Sequence, residues 1–236
     1  MQKGNIFMIP STLGDSPVEN VIPSYLSILI LNIDFYIVEN IRTTRRFLKK
    51  LNKEINIDNL EFFVLNKYTT DEEKSDFLLP AIQGNDLGII SEAGCPGVAD
   101  PGADIIFQAH KQNIRVIPLA GPSSIIMALM ASGFNGQNFA FSGYIPIKKD
   151  ERTRRIKQLE KRSKTEKQSQ IFMETPFRNI QMFDDICEAC QPDTYLCVAT
   201  DISLDTEEIK SQTIKQWKKN RPDINKRPSI FILHSI

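Results

Sequence analysis

The strongest constraint in this 236-residue chain is an apolar run that ends abruptly. Leu87, Gly88, Ile89 and Ile90 are followed by a loop with Gly94, Pro96, Gly97, Pro101 and Gly102 inside nine residues. The run reads as a buried parallel strand, and the loop leaves its carboxyl end. In open α/β sheets that edge is where ligands sit. Glycine lets the main chain pass close to a bound molecule, and proline holds its path rigid. An ordinary strand-to-helix link takes about two to six residues and needs no such density of either.

Strand-like and helix-like segments alternate on both sides of this loop. Expected strands are Asn5–Ile9, Ile33–Val38, Leu60–Leu65, Leu87–Ser91 and Ile114–Pro118. The intervening helices are Pro17–Leu31, Ile41–Leu51, Glu72–Gln83 and Gly102–Lys111. Strands separated by helical lengths indicate βαβ units and a parallel sheet. The pattern changes after Pro118. Ala120–Gly133 reads as a small, apolar helix entered through a Gly-Pro-Ser-Ser turn, whose serines can cap it. Beyond it come strands Phe139–Gly143, Gln170–Met173, Tyr195–Thr200 and Ser229–His234, and helices Glu151–Lys164, Pro176–Cys190 and Thr213–Lys219. The expected fold class is therefore α/β in two domains. Residues 1–119 form a mostly parallel sheet with flanking helices, and residues 120–236 form a mixed sheet.

Composition narrows the function classes. Lys and Arg number 29, equal to Asp and Glu, so the chain is neutral overall. A dedicated nucleic-acid clamp is usually basic, so any such role must rest on a local patch. The longest apolar stretch, Val21–Val38, is interrupted by Pro23, Asn32 and Asp34, which argues against a membrane span. The amino terminus lacks a secretory pattern. Four cysteines do not make a disulfide scaffold at this length, so a cytoplasmic location is expected. Cys187-x-x-Cys190 is half a metal site without a second pair, and no metal is expected. No Walker loop or Gly-x-Gly-x-x-Gly is present, which leaves ATP and NAD unsupported.

Six segments, in order and at similar spacing, resemble the tetrapyrrole methylase superfamily of S-adenosylmethionine-dependent methyltransferases. The nearest branch is the ribosomal small-subunit RNA cytidine 2′-O-methyltransferases. SEAGCPGVADPG is similar to that branch's Ser-Asp-Ala-Gly-Thr-Pro…Asp-Pro-Gly loop, and IRVIPLAGPSSIIMALMASG to its Pro-Gly-Pro turn and helix. FSGYIPIKKDER resembles its Gly-Phe-Leu-Pro linker. IFMIPSTLGD, VENIRTT and FMETPFR are weaker matches.

The resemblance implies a homodimer with the methyl donor in a cleft between the two domains. Carried onto this sequence, donor contacts fall on Pro10, Leu13, Gly14, Ala93, Gly94, Cys95, Val98, Ser123, Ser124, Glu174, Ala199 and Thr200. The electrophile comes ready-made, so catalysis is mainly alignment, helped by a base for the acceptor hydroxyl. Glu39, Arg42, Glu174 and Arg178 are the expected catalytic residues. Glu92, Asp100 and Asp201 are further candidates for the base.

Departures from the branch concern the acceptor. Its Glu-Asp-Thr-Arg motif is Glu39-Asn40-Ile41-Arg42 here, and its Ala-Arg-Glu triplet is Ala199-Thr200-Asp201. A His-rich stretch is replaced by Asn66-Lys67-Tyr68-Thr69, and the first-strand loop is compressed to Ser11–Asp15. The sequence stops at Ile236, where many branch members carry an extension.

Lys148–Lys167 holds ten Lys and Arg against four Asp and Glu, a candidate RNA-phosphate track or an ordinary solvated helix face. A second basic helix carries Arg42, Arg45, Arg46, Lys49 and Lys50. Ribose methylation of small-subunit ribosomal RNA is the leading expectation. The alternatives are a methylase of a small tetrapyrrole-like or other metabolite and a non-catalytic RNA-binding module that keeps the fold.

Overall fold

The computed structural model describes residues 2–235. They divide into two compact units, the first running to Ser123 and the second starting at Ser124. The boundary read from sequence, 119/120, lies at the start of the turn that joins them.

The first unit contains β1 (Asn5–Ile9), α1 (Leu26–Leu29), β2 (Phe35–Val38), α2 (Ile41–Leu51) and β3 (Glu61–Val64). After these come α3 (Asp71–Asp76), α4 (Leu79–Ile82), β4 (Leu87–Ile90), α5 (Gly102–Lys111) and β5 (Arg115–Pro118). The five strands are all parallel, in the order β3-β2-β4-β1-β5. Period-two alternation sends neighbouring side chains to opposite layers. Ile6, Ile37, Leu87 and Ile89 join Ile105 and Ala109 of α5 on one face. Ile9, Tyr36, Val38 and Ile90 join Leu48 of α2 and Ile30 on the other. With both faces covered, β4 is buried along its whole length, as its apolar run requires.

Two expected helices are broken. Pro17–Leu31 is a short 3-10 turn, the single turn α1 and another 3-10 turn, because Pro23 interrupts the segment. Glu72–Gln83 splits into α3 and α4, with Pro80 at the start of the second, where its missing N–H is harmless. By contrast, α2 has its sequence-predicted bounds. Asn40 caps it by accepting from the amides of Arg42 (2.9 Å) and Thr43 (3.4 Å).

The second unit contains α6 (Ser124–Ser132), β6 (Phe139–Tyr144), α7 (Lys149–Glu166), β7 (Ser169–Met173), α8 (Asn179–Ala189), β8 (Tyr195–Thr200), β9 (Glu208–Thr213), α9 (Ile214–Trp217) and β10 (Ser229–His234). The strand order is β6-β7-β10-β8-β9, with only the β6–β7 pair parallel. Strand β9 is absent from the sequence reading. Its residues, EIKSQT, lie at the sheet edge and are largely exposed, so no apolar alternation marks them. Helices α7 and α8 supply Ile156, Leu159, Met182, Phe183 and Ile186 to a core completed by Phe172, Leu196, Trp217 and Phe231.

Candidate functional site

All five strands of the first sheet end at one edge, and their loops meet there. Ser11, just past β1, forms an isolated antiparallel bridge with Gly94 of the β4 loop, its amide donating to the Gly94 carbonyl at 2.9 Å. The buried Ser11 hydroxyl donates to the Ser91 carbonyl at 2.9 Å. The Cys95 thiol lies 3.4 Å from the Pro122 carbonyl, which ties the β4 loop to the turn after β5. Gly94 sits at φ +70°, a left-handed conformation that β-carbon-bearing residues adopt only with strain. A β-carbon at Gly121 would lie 2.2 Å from the Pro10 ring, so the two loops approach more closely than any side chain permits. Thus Pro10, Gly94 and Gly121 form a cradle built chiefly of main chain.

Asp100 holds the far end of the β4 loop. Its carboxylate accepts from the amides of Gly97 (2.7 Å) and Gly102 (2.6 Å), closing the turn that begins α5. Burial pushes its carboxyl up, against the opposing pull of the Gly102, Gly97 and Val98 amides.

Two cavities open beside this cradle. A polar one of about 280 Å³ is lined by Ser11–Asp15, by Thr43, Thr44, Arg46, Phe47 and Lys50 of α2, and by Ile90–Glu92. An apolar one of about 390 Å³ is lined by Met8, Cys95–Val98, Ala103, Ile106, Pro118 and Leu119. Of the sequence-predicted donor residues of the first unit, four line these cavities and Pro10, Ala93, Gly94 and Ser123 line neither. Leu13 and Gly14 line the polar cavity, and Cys95 and Val98 the apolar one.

Glu39 follows β2 at the same edge and accepts from the Glu92 amide at 3.1 Å. Burial raises its carboxyl; the Glu92 amide opposes the shift, and the Asp100 and Glu92 charges reinforce it. The Glu92 carboxylate in turn accepts from the Thr43 hydroxyl. Three acids therefore cluster on neighbouring loops. Arg42 makes no ion pair among the described residues. It is Arg46 and Lys50, one turn apart, that line the polar cavity. Sequence reasoning counted the cations of α2 without assigning them a face. The spacing Thr43, Arg46, Phe47, Lys50 was the available signal. Arg45 instead pairs with Asp58 at 2.6 Å, and Lys49 donates to the carbonyls of Lys53 and Ile55.

In the second unit, Glu174 and Arg178 are partners of each other. The Glu174 side chain is buried and accepts from the Arg178 guanidinium and from the Thr175 amide. That bond raises the Arg178 pKa. Ala199 and Thr200 are buried at the end of β8, where the Thr200 hydroxyl lies 3.1 Å from that of Ser229. Asp201 accepts from Arg227 and from Thr206, both at 2.8 Å. Cys187 and Cys190 are buried thiols in the α8 region; burial pushes Cys187 up to about 11 and Cys190 higher still. Among the described residues no group of three His, Cys, Asp or Glu side chains is placed to hold a metal, and no helix is long and apolar enough to cross a membrane.

No family model matches the chain. It is 29% identical over 235 residues to the ribosomal RNA small subunit methyltransferase I of Buchnera aphidicola subsp. Schizaphis graminum (strain Sg), covering 98% of this chain and 78% of that protein. The protein of the same name from Escherichia coli O157:H7 is 26% identical over 235 residues, covering 98% of this chain and 77% of its own length. Among solved structures, the methyltransferase CobJ matches with a TM-score of 0.64 at 14% identity, over 98% of this chain and 94% of that one. Uroporphyrin-III C-methyltransferase from Thermus thermophilus, complexed with S-adenyl homocysteine, matches at 0.60 and 13% identity over 98% of both chains. These structures share the fold, and the sequence relatives carry the kinship. Over nearly its whole length, then, the chain is similar to proteins named ribosomal RNA small subunit methyltransferase I, and it has the fold of methyltransferases, one of them complexed with S-adenyl homocysteine.

Proposed function

We propose that this protein transfers a methyl group from S-adenosylmethionine to a ribose 2′-hydroxyl of small-subunit ribosomal RNA. The observation that carries the reading is the meeting, at one sheet edge, of a main-chain cradle with a polar cavity lined by two acids, Asp15 and Glu92, and two cations, Arg46 and Lys50. The cradle suits the donor. Main-chain carbonyls and amides suit the hydrogen-bonding edges of adenine, and apolar walls suit its faces and the methionine chain. Pro10, Leu13, Gly14, Ala93, Gly94, Cys95, Val98 and Ser123 are the proposed donor residues of the first unit. The resemblance adds Ser124, Glu174, Ala199 and Thr200 from the second.

When bound, the donor supplies a methyl group already activated on a sulfonium. What remains for the chain is to align the acceptor and remove one proton. Arg46 and Lys50 are suited to a nucleotide phosphate, and the Thr43 hydroxyl to a sugar oxygen. Glu39 takes the proton that the ribose hydroxyl loses. Its raised pKa makes it a stronger base than an ordinary carboxylate. Arg42, one residue into α2, orients the acceptor strand. Arg178 holds Glu174 in place.

The protein is further proposed to act as a cytoplasmic homodimer. Free thiols at all four cysteines fit a reducing compartment, and exposed Phe107 and Met130 offer apolar surface for a partner copy.

The deciding experiment offers labelled donor and small ribosomal subunits from cells lacking this gene. Label mapped to a ribose supports the reading. Unlabelled particles, with enzyme that binds donor in a calorimetric titration, overturn the RNA assignment in favour of a metabolite methylase. Failure to bind donor at all leaves only a binding module. Gly94→Trp in folded protein is expected to abolish donor binding.

A further inference from the structure

Apart from Arg155, which is half-buried and donates to the Ser142 hydroxyl, the cations of the basic helix α7 fall into two sets. Lys148, Lys149, Arg152 and Arg162, in or just before it, are each paired with an acid, namely Glu151, Glu188, Asp185 and Glu166. Arg154, Lys157, Lys161 and Lys164 are not, and no carboxylate of the described residues lies within 4.0 Å of them. At about 100° per residue these four fall within an arc of about 80° on the side opposite buried Arg152, Ile156, Leu159 and Ser163. All four are exposed. They succeed one another at about 4.5–6 Å and span about 15 Å of the helix axis.

From Arg154 onward no acid shares the face. Glu160 turns aside to accept from the Gln191 amide and the Thr194 hydroxyl, and Glu166 is bound to Arg162. The side chains beside the stripe are Thr153, Gln158 and Thr165, which are uncharged and able to hydrogen-bond. On a chain whose charges sum to zero, an uncompensated stripe of this length is a local polarity that solubility does not require.

We infer that this face of α7 is a phosphate track that grips the backbone of the RNA substrate. The inference rests on the ribosomal RNA reading above. An RNA backbone is a row of like charges, and a straight row of flexible cations meets it without reading sequence. The track thus supplies affinity and orientation, and leaves the choice of nucleotide to the cavity.

The test replaces Arg154, Lys157, Lys161 and Lys164 together with Gln, a strong helix former that removes only charge. A control replaces Lys111, Lys215, Lys218 and Lys219, so that both variants lose equal charge. Binding is measured by fluorescence anisotropy on naked small-subunit RNA and on whole subunits, across a potassium chloride series. Donor titration and circular dichroism verify the fold. The track variant is expected to lose at least about tenfold in RNA affinity and to flatten the log–log salt slope by about 3 units. The control should lose far less, and Lys or Arg exchanges along the stripe should restore binding. If wild type binds RNA and the track variant matches it in affinity and slope, the track is wrong and the substrate reading stands. A loss confined to whole subunits, with naked RNA unaffected, overturns it in favour of an acidic protein surface. If wild type binds neither probe, the substrate reading itself falls.

Discussion

The two units use charge in opposite ways. In the first, every ion pair includes a well-exposed acid, as in Arg45–Asp58, Lys50–Asp15 and Lys74 with Asp71 and Asp104, and the site is shaped by main chain. The second adds to exposed pairs such as Lys149–Glu188 three whose acids are drawn into the structure. Arg152 and Asp185 are 2% and 6% exposed, the Glu174 side chain is 1% exposed, and Asp201 beneath Arg227 is 9% exposed. The contrast predicts different weaknesses. The first unit should tolerate side-chain exchange but not added bulk where its loops touch. The second should tolerate bulk at its surface but not the loss of one member of a buried pair.

The sharpest way to break that comparison is Asp185→Ala, which strands a buried guanidinium. A loss of about 3–5 kcal/mol is expected by urea denaturation, and the double change Arg152→Met with Asp185→Leu should recover most of it. A loss below about 1 kcal/mol would erase the distinction between the units. Next comes Gly121→Ala, whose β-carbon cannot coexist with the Pro10 ring. About 1–3 kcal/mol of stability and more than tenfold in donor affinity should go together, read by denaturation and calorimetry.

Glu39→Gln separates stability from activity. A carboxyl whose folded pKa lies above its unfolded value holds its proton more tightly when folded. Ionisation therefore lowers stability as pH rises from the ordinary carboxylate range through the raised folded pKa. Gln should match or exceed wild-type stability at pH 7, with the difference closing toward pH 4. Methyl transfer should fall about a hundredfold and lose the acid-side decline that the wild-type pH profile shows. The smallest effect belongs to Asp58→Ala, where an exposed pair should change stability by less than about 1 kcal/mol.

What could be read from the sequence follows the same division. Strands buried on both faces announce themselves as short apolar runs, so LGII and FYIV were visible, and the Gly and Pro of residues 94–102 marked the carboxyl edge of the sheet. Strand β9 was invisible because an exposed edge strand has only one neighbour and little to bury. The broken helices failed for a local reason, a proline inside each. In the candidate site, the position of Glu39 and of the glycine loop at the sheet edge was legible from motif and backbone chemistry. The presence of Arg46 and Lys50 in the cavity, and the mutual pairing of Glu174 with Arg178, depends on which way each helix or turn is rotated by its packing. A list of charges carries no such information.

The unpromising sequence of β9 has a consequence for what the sheet edge can attract. A sheet's outermost strand offers free amides and carbonyls to any extended chain, and unguarded edges grow by accretion. Glu208 and Lys210 line this one with exposed charge of both signs. At the opposite border, β6 is thrown out of register between Phe141 and Tyr144, with Gly143 at φ +64°. Neither border offers a clean template. Self-association that would continue this sheet into a second one is discouraged from both sides.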